Sequence, residues 1–136
     1  MTQTIQQQRA AYALQQVLKA KTQLPEAIQK RFKAYSNSLP AMIQMNGIGQ
    51  ALAFAYQKSN GDKDENIGWK MLFNALGEWL LQREIWGKQV ANANVVKVLA
   101  EGNQEQYQLA QAEAQALLSW VKDFARAEIS GEATED

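Results

Sequence analysis

With 136 residues and a mass of 15.2 kDa, the chain is long enough for one domain that buries about two-thirds of its unfolded surface, so its core needs no covalent staples. Apolar residues at 46%, charged residues at 21% and a net charge of zero describe a globular chain rather than a disordered one. Cysteine and histidine are both absent, which excludes disulfides, thiol nucleophiles, imidazole acid–base chemistry and the usual nitrogen or sulfur metal sites.

Alanine and glutamine, both good helix formers, supply 39 residues, and proline occurs only twice. No sustained period-2 alternation is present, so the expected fold is all-α: one bundle of five to six helices over residues 1–129. The first helix is predicted over about 4–21, with Ala10, Ala13, Leu14, Val17 and Leu18 as its buried stripe. Pro25 opens a second helix that buries Ile28, Phe32 and Tyr35. Ser36-Asn37-Ser38 is expected to break it, and Pro40 to open a third over about 40–59.

This third segment has one apolar stripe of Ala41, Met45, Ile48, Leu52 and Ala55, and another of Ile43, Gly47 and Phe54 nearly opposite. Such a helix belongs at the centre of a bundle. Asn46, Gly47 and Gly49 form its packing motif: each glycine costs a helix about 1 kcal/mol relative to alanine, and close approach of a neighbour would compensate. After a loop at 60–66, a fourth helix is predicted over 67–86, ended by Gly87 and burying Trp69, Leu72, Phe73, Leu76 and Leu80. A short fifth spans 94–101. Asn103 caps a long sixth over about 104–129, with a seam of Tyr107, Ala110, Ala114, Leu117, Val121 and Phe124. Residues 130–136 are an acidic tail expected to fray.

Little of this carries chemistry. Gly47-Ile48-Gly49 lacks the third glycine and the preceding strand of a dinucleotide loop. Asp62, Asp64 and Asn66 match the start of a calcium loop, but Ile67 and Phe73 occupy the positions where glycine and glutamate are required. The acids of the last helix are spread around it rather than paired. The expectation is a protein that is not an enzyme and needs no metal or cofactor. Trp79 and Trp86, seven residues apart, fit either the core or a docking edge. The start of the chain is polar and no apolar run spans a bilayer, which makes the cytoplasm the default location and leaves no membrane partner.

Zero net charge hides an asymmetry. Residues 1–60 carry seven basic side chains against one acid, net +6; residues 61–136 carry seven against thirteen, net −6. An anionic partner for the basic half, head-to-tail contact between copies, or simply unlike solvated faces would each account for it. On a helical wheel Arg9, Tyr12, Gln16 and Lys19 share a face opposite the apolar stripe. Lys30 and Lys33 point outward from the second helix, with Arg31 at its rim. Arg9, Tyr12, Lys19, Lys21, Lys30, Arg31 and Lys33 are the candidate residues for a nucleic-acid backbone, with Tyr12 placed to stack on a base; the alternative is ordinary solubilising cations and a tyrosine packed on a neighbour.

Residues 32–58, FKAYSNSLPAMIQMNGIGQALAFAYQK, resemble the small helical subunit of the Cmr-type (type III-B) CRISPR RNA-guided effector complexes. The resemblance rests on Tyr35, Leu39-Pro40, Met42-Ile43, the Asn46-to-Gln50 block and Leu52-Ala53-Phe54. Arg9 with Ala10 and Ala13, and Trp69…Leu76…Trp79-Leu80, also fit. Ile48 stands where leucine is common. The resemblance implies a non-catalytic, all-helical protein of antiviral defence. Copies of it would stack head to tail in a minor filament, contact other subunits, and help hold a guide RNA–target RNA duplex by its backbone while cleavage happens elsewhere. The alternative from the residues alone is a helical scaffold or adaptor that touches only protein.

Overall fold

The computed structural model describes residues 2–132, and among these every regular element is helical. There are five: α1 (Ile5–Gln23), α2 (Glu26–Lys58), α3 (Asp64–Leu81), α4 (Val95–Glu101) and α5 (Gln104–Glu128). Residues 133–136 of the acidic tail lie outside the described residues. No helix among the described residues is long and apolar enough to cross a membrane.

α2 is the central element and packs against all four others, most extensively against α3 and α5; α1 in turn lies along α5. The segments expected as separate second and third helices are one. Ser36 and Ser38 do not break the chain. Their hydroxyls donate back to the carbonyls of Phe32 (2.8 Å) and Tyr35 (3.4 Å), which a helix tolerates. Pro40 sits inside the helix rather than at its start, and the carbonyl of Pro40 accepts a hydrogen bond from Gln115 of α5 at 2.9 Å.

The true interruption is at Gly47, whose φ of 85° and ψ of 159° are non-helical. It resets the buried face. Before it Leu39 and Ile43 point inward; after it Ile48, Ala51, Leu52 and Ala55 do. The continuous stripe expected from Ala41 through Met45 to Ile48 is therefore wrong at its start: Ala41 is exposed, and Met45 is 82% exposed.

α3 begins earlier than expected, at Asp64, because Asn66 staples the turn. Its side chain accepts from the Lys63 amide (3.1 Å) and donates to the Lys58 carbonyl (2.6 Å). α3 also ends earlier, at Leu81. Trp86 lies beyond it and folds back to donate its indole N–H to the Leu80 carbonyl at 2.9 Å. Trp79 and Trp86 are both buried in the core. Asn94 and Asn103 cap α4 and α5, the latter through a reciprocal pair of bonds with Gln106.

Candidate functional site

α1 is rotated from the orientation its leucines indicated. Leu18 is half-exposed, while Ala13, Gln16, Val17 and Ala20 are buried. Two of these four are alanine and one is glutamine, so hydrophobicity defines the face poorly, and polar partners on α3 and α5 decide it. The face bearing Arg9, Tyr12 and Gln16 consequently turns toward the bundle.

Arg9 forms a two-pronged bond with Glu113 of α5: Nε to Oε2 at 2.7 Å and Nη2 to Oε1 at 2.9 Å. Both side chains are largely covered, 17% and 14% exposed. The same Glu113 accepts from the indole N–H of Trp79 at 2.9 Å. Arg83 lies over that indole, 3.7 Å from the ring centroid. Tyr12 packs against the same indole, centroids 4.9 Å apart, and donates its hydroxyl to the Ala75 carbonyl at 2.6 Å. Tyr12 is thus engaged inside the protein rather than held out for a base. Burial pushes its hydroxyl well above the ordinary tyrosine range, and the negative charge of Glu78 adds to the effect. For Glu113, burial works against the carboxylate, but the hydrogen bonds from Arg9 and Trp79 and the charges of Arg9 and Arg83 outweigh it. They hold Glu113 below the usual glutamate range.

The other candidate cations divide into two groups. Lys21, Lys30 and Lys33 gather at the end of α5. Lys21 pairs with Glu128 at 3.3 Å; Lys33 Nζ donates to the carbonyls of Ile129 (2.8 Å) and Gly131 (2.9 Å). Lys30 pairs with Glu26 at 3.6 Å, one turn back, and its stem lies against Gly131. Lys19 and Arg31 form the second group, with Lys70, which sequence reasoning passed over. Lys19 of α1 and Lys70 of α3 line one groove of about 230 Å³, together with Asn74 and Glu78. Arg31 of α2 lies beside Gly68 of α3, its Cβ 3.3 Å from where a side chain there would begin. Around residues 67–70 of α3, three helices each contribute a cation with no carboxylate within ion-pair distance among the described residues.

The packing motif has its own arrangement. Breaking α2 at Gly47 frees the amides just after it. The Ile48 amide donates to Gln111 Oε1 at 2.9 Å and the Gly49 amide to the Tyr107 hydroxyl at 3.0 Å. A Cβ on Gly47 would stand 2.7 Å from that hydroxyl. Asn46 is exposed. Tyr107 and Gln111 are i, i+4 neighbours on α5, so one face of that helix serves both amides.

The family described as CRISPR-associated protein (Cas_Cmr5) matches residues 5–128, from the first residue of α1 to the last of α5. The chain belongs to this family. It is accordingly a small Cmr-complex subunit in CRISPR defence. Within this Cmr5 family member, the matched range contains both the Gly47 break and its α5 partners, as well as the Arg9–Glu113 pair. Lys70 escaped the sequence reading because it lies outside the basic half and beside the apolar run of α3. Gln111 and Glu113 escaped it because neither sits on the apolar seam; only the i, i+4 spacing of Gln111 from Tyr107 put it beside the Gly47 break, and no local signal paired Glu113 with Arg9 and Trp79.

Proposed function

We propose that this Cmr5-family chain is a non-catalytic subunit of a type III-B effector complex, that copies of it stack head to tail, and that it supports guide–target RNA binding through the phosphate backbone. The observation that carries the RNA part is the set of cations outside any close ion pair on three helices, Lys19, Arg31 and Lys70, around one stretch of α3 whose groove also holds Glu78. Cations unspent on the protein's own carboxylates are what phosphate recognition requires, and base pairing with the guide leaves no sequence for this surface to read. Absence of histidine and cysteine, with the Tyr12 hydroxyl and Glu113 both tied into packing, supports a non-catalytic role.

Charge reversal at Lys19, Arg31 and Lys70 is the first test, on complexes rebuilt with wild-type or variant subunit. Target RNA should bind less tightly, and the log–log salt slope should shrink by roughly 0.7–0.9 for each phosphate that is no longer neutralised. Lys33 is left out of this variant because its ammonium caps the carbonyls after α5, so reversing it would disturb the fold as well.

The adaptor reading has one observation in its favour. Part of the charge asymmetry is cancelled inside the molecule, where Arg9 and Lys21 of the basic half meet Glu113 and Glu128 of the acidic half. If affinity and slope are unchanged in the variant, protein contact alone is the function. For assembly, successive copies should meet by a heterologous contact that does not close; a two-fold contact between copies in the complex would contradict the stacking.

A further inference from the structure

Two Asn-Gly dipeptides occur in the chain, Asn46-Gly47 and Asn60-Gly61. The pairing is chemically special, because glycine has no side chain to screen its nitrogen from the asparagine side-chain carbonyl just before it. Both asparagines are exposed, and neither side chain makes a hydrogen bond among the described residues. What separates them is the backbone. Asn46 lies inside α2 with helical φ and ψ, Gly47 being the residue of that helix that departs from them. A helical ψ, near about −42°, turns the following nitrogen well away from the asparagine Cβ, so no five-membered ring closes while the helix holds. The break does not relax this hold, since the Ile48 and Gly49 amides are tied to Gln111 and Tyr107. Asn60 and Gly61 stand instead in the connection between α2 and α3. The Asn60 amide donates to the Gln57 carbonyl at 3.2 Å, whereas the Gly61 amide, at φ 140°, donates to nothing among the described residues.

We infer that Asn60 is a site of spontaneous deamidation in the folded protein, and that Asn46, with the same local sequence, is protected by its helix. The Gly61 nitrogen forms a bond to Asn60 Cγ. The Cγ–Nδ2 bond breaks, and the side-chain amide leaves as ammonia, taking the Gly61 amide proton. Water then opens the resulting succinimide: attack at the side-chain carbonyl leaves aspartate, and attack at the backbone carbonyl leaves an isoaspartyl linkage. One water enters, one ammonia leaves, and nothing is oxidised or reduced. Either product takes the net charge from zero to −1 and places a new carboxylate beside Asp62, Asp64 and Glu65. The isoaspartyl product also lengthens the backbone by one bond at a turn with no spare room. A Cβ on Gly61 would stand 2.5 Å from Asn66 Oδ1, and Asn66 is the side chain that ties the Lys63 amide to the Lys58 carbonyl. Modification at this position therefore loosens the start of α3, the helix that carries Lys70.

The test ages the full chain at mildly alkaline pH, folded and in denaturant, and follows it by trypsin digestion and mass spectrometry. Trypsin separates the two positions, since residues 34–58 carry Asn46 and residues 59–63 carry Asn60. In the folded protein position 60 should convert from amide to acid roughly tenfold faster than position 46 or more, because Asn46 reacts only when α2 opens locally. Aspartyl and isoaspartyl forms of the 59–63 peptide should both appear, since the ring opens from two sides. In denaturant the two rates should converge. Asn60→Gln, whose longer side chain closes its ring far more slowly, should remove most of the acidic species that ion exchange resolves from aged wild type. Equal rates at 46 and 60 in the folded protein would overturn the inference. So would an unreacted position 60 over a period in which the denatured chain converts, because the turn would then be held as firmly as the helix. Aspartate without isoaspartate would overturn the ring step, and with it the role given to the Gly61 nitrogen.

Discussion

Gly47→Ala should destabilise the protein by about 3–5 kcal/mol. Two costs add. At φ 85° and ψ 159° the backbone occupies a region open in practice only to glycine. The new Cβ would also stand 2.7 Å from the Tyr107 hydroxyl, so the ring must move and release the Gly49 amide. Gly47→Leu adds overpacking to the same strain. Gly49→Ala is the internal control. Its φ is not positive, and its Cβ would meet the Tyr107 ring edge at 3.2 Å, so a shift of a few tenths of an ångström suffices and the change should stay within about 1 kcal/mol. Tyr107→Phe keeps the ring but strands the Gly49 amide, and should cost about 1–3 kcal/mol. Chemical denaturation of the four variants checks the order. Equal, mild effects at Gly47 and Gly49 would mean that the break in α2 is not fixed by the backbone.

Glu113→Ala should cost about 2–4 kcal/mol and change the acid side of the stability profile. It leaves a largely covered Arg9 guanidinium without its carboxylate and the Trp79 indole without its acceptor. Because folding lowers the Glu113 pKa, the stability this carboxylate contributes is complete above the unfolded value, near 4.5, and is lost as pH falls through the folded value. Wild type should therefore lose stability in acid more steeply than Glu113→Gln, measured as midpoint against pH below about 5. A double-mutant cycle with Arg9→Met separates the pair from its surroundings: coupling below about 0.5 kcal/mol would show that the bidentate geometry contributes nothing beyond packing.

Helix content and the seam of α5 were legible because they rest on repeated local signals: abundant alanine and glutamine, asparagine caps, and apolar spacings of three and four. The continuity of α2 was not. Ser36-Asn37-Ser38 and Pro40 are local breakers, yet the serine hydroxyls bond back to their own helix, and packing on α3 and α5 carries the helix through. Gly47, with a weaker local signal than Pro40, is where the chain turns, because only there do partners about 60 residues away satisfy the freed amides.

The candidate surface shows the same division. A helical wheel gave the relative positions of Arg9, Tyr12, Gln16 and Lys19 correctly, but not which way the wheel faced. An alanine-lined stripe offers too small a hydrophobic difference to fix rotation against a buried ion pair and a tryptophan. Lysines that look equivalent in sequence part company for a related reason: Lys33 meets the end of α5, whereas Lys19 opens onto a groove.

The interlock between the break in α2 and the side chains of α5 has a consequence for the order in which the chain matures. As the polypeptide emerges from its amino terminus, residues 26–58 are complete long before Tyr107 and Gln111 exist to receive the Ile48 and Gly49 amides. Until then nothing favours the bend over a straight rod, in which those amides would bond within the helix. α1 waits as well, since its main neighbour is α5 and its arginine has no counter-ion before residue 113. The last helix to be made is thus the one that sets the shape of the earlier two, and a nascent chain arrested before about residue 107 should expose the α1 and α2 faces to chaperones however helical it already is.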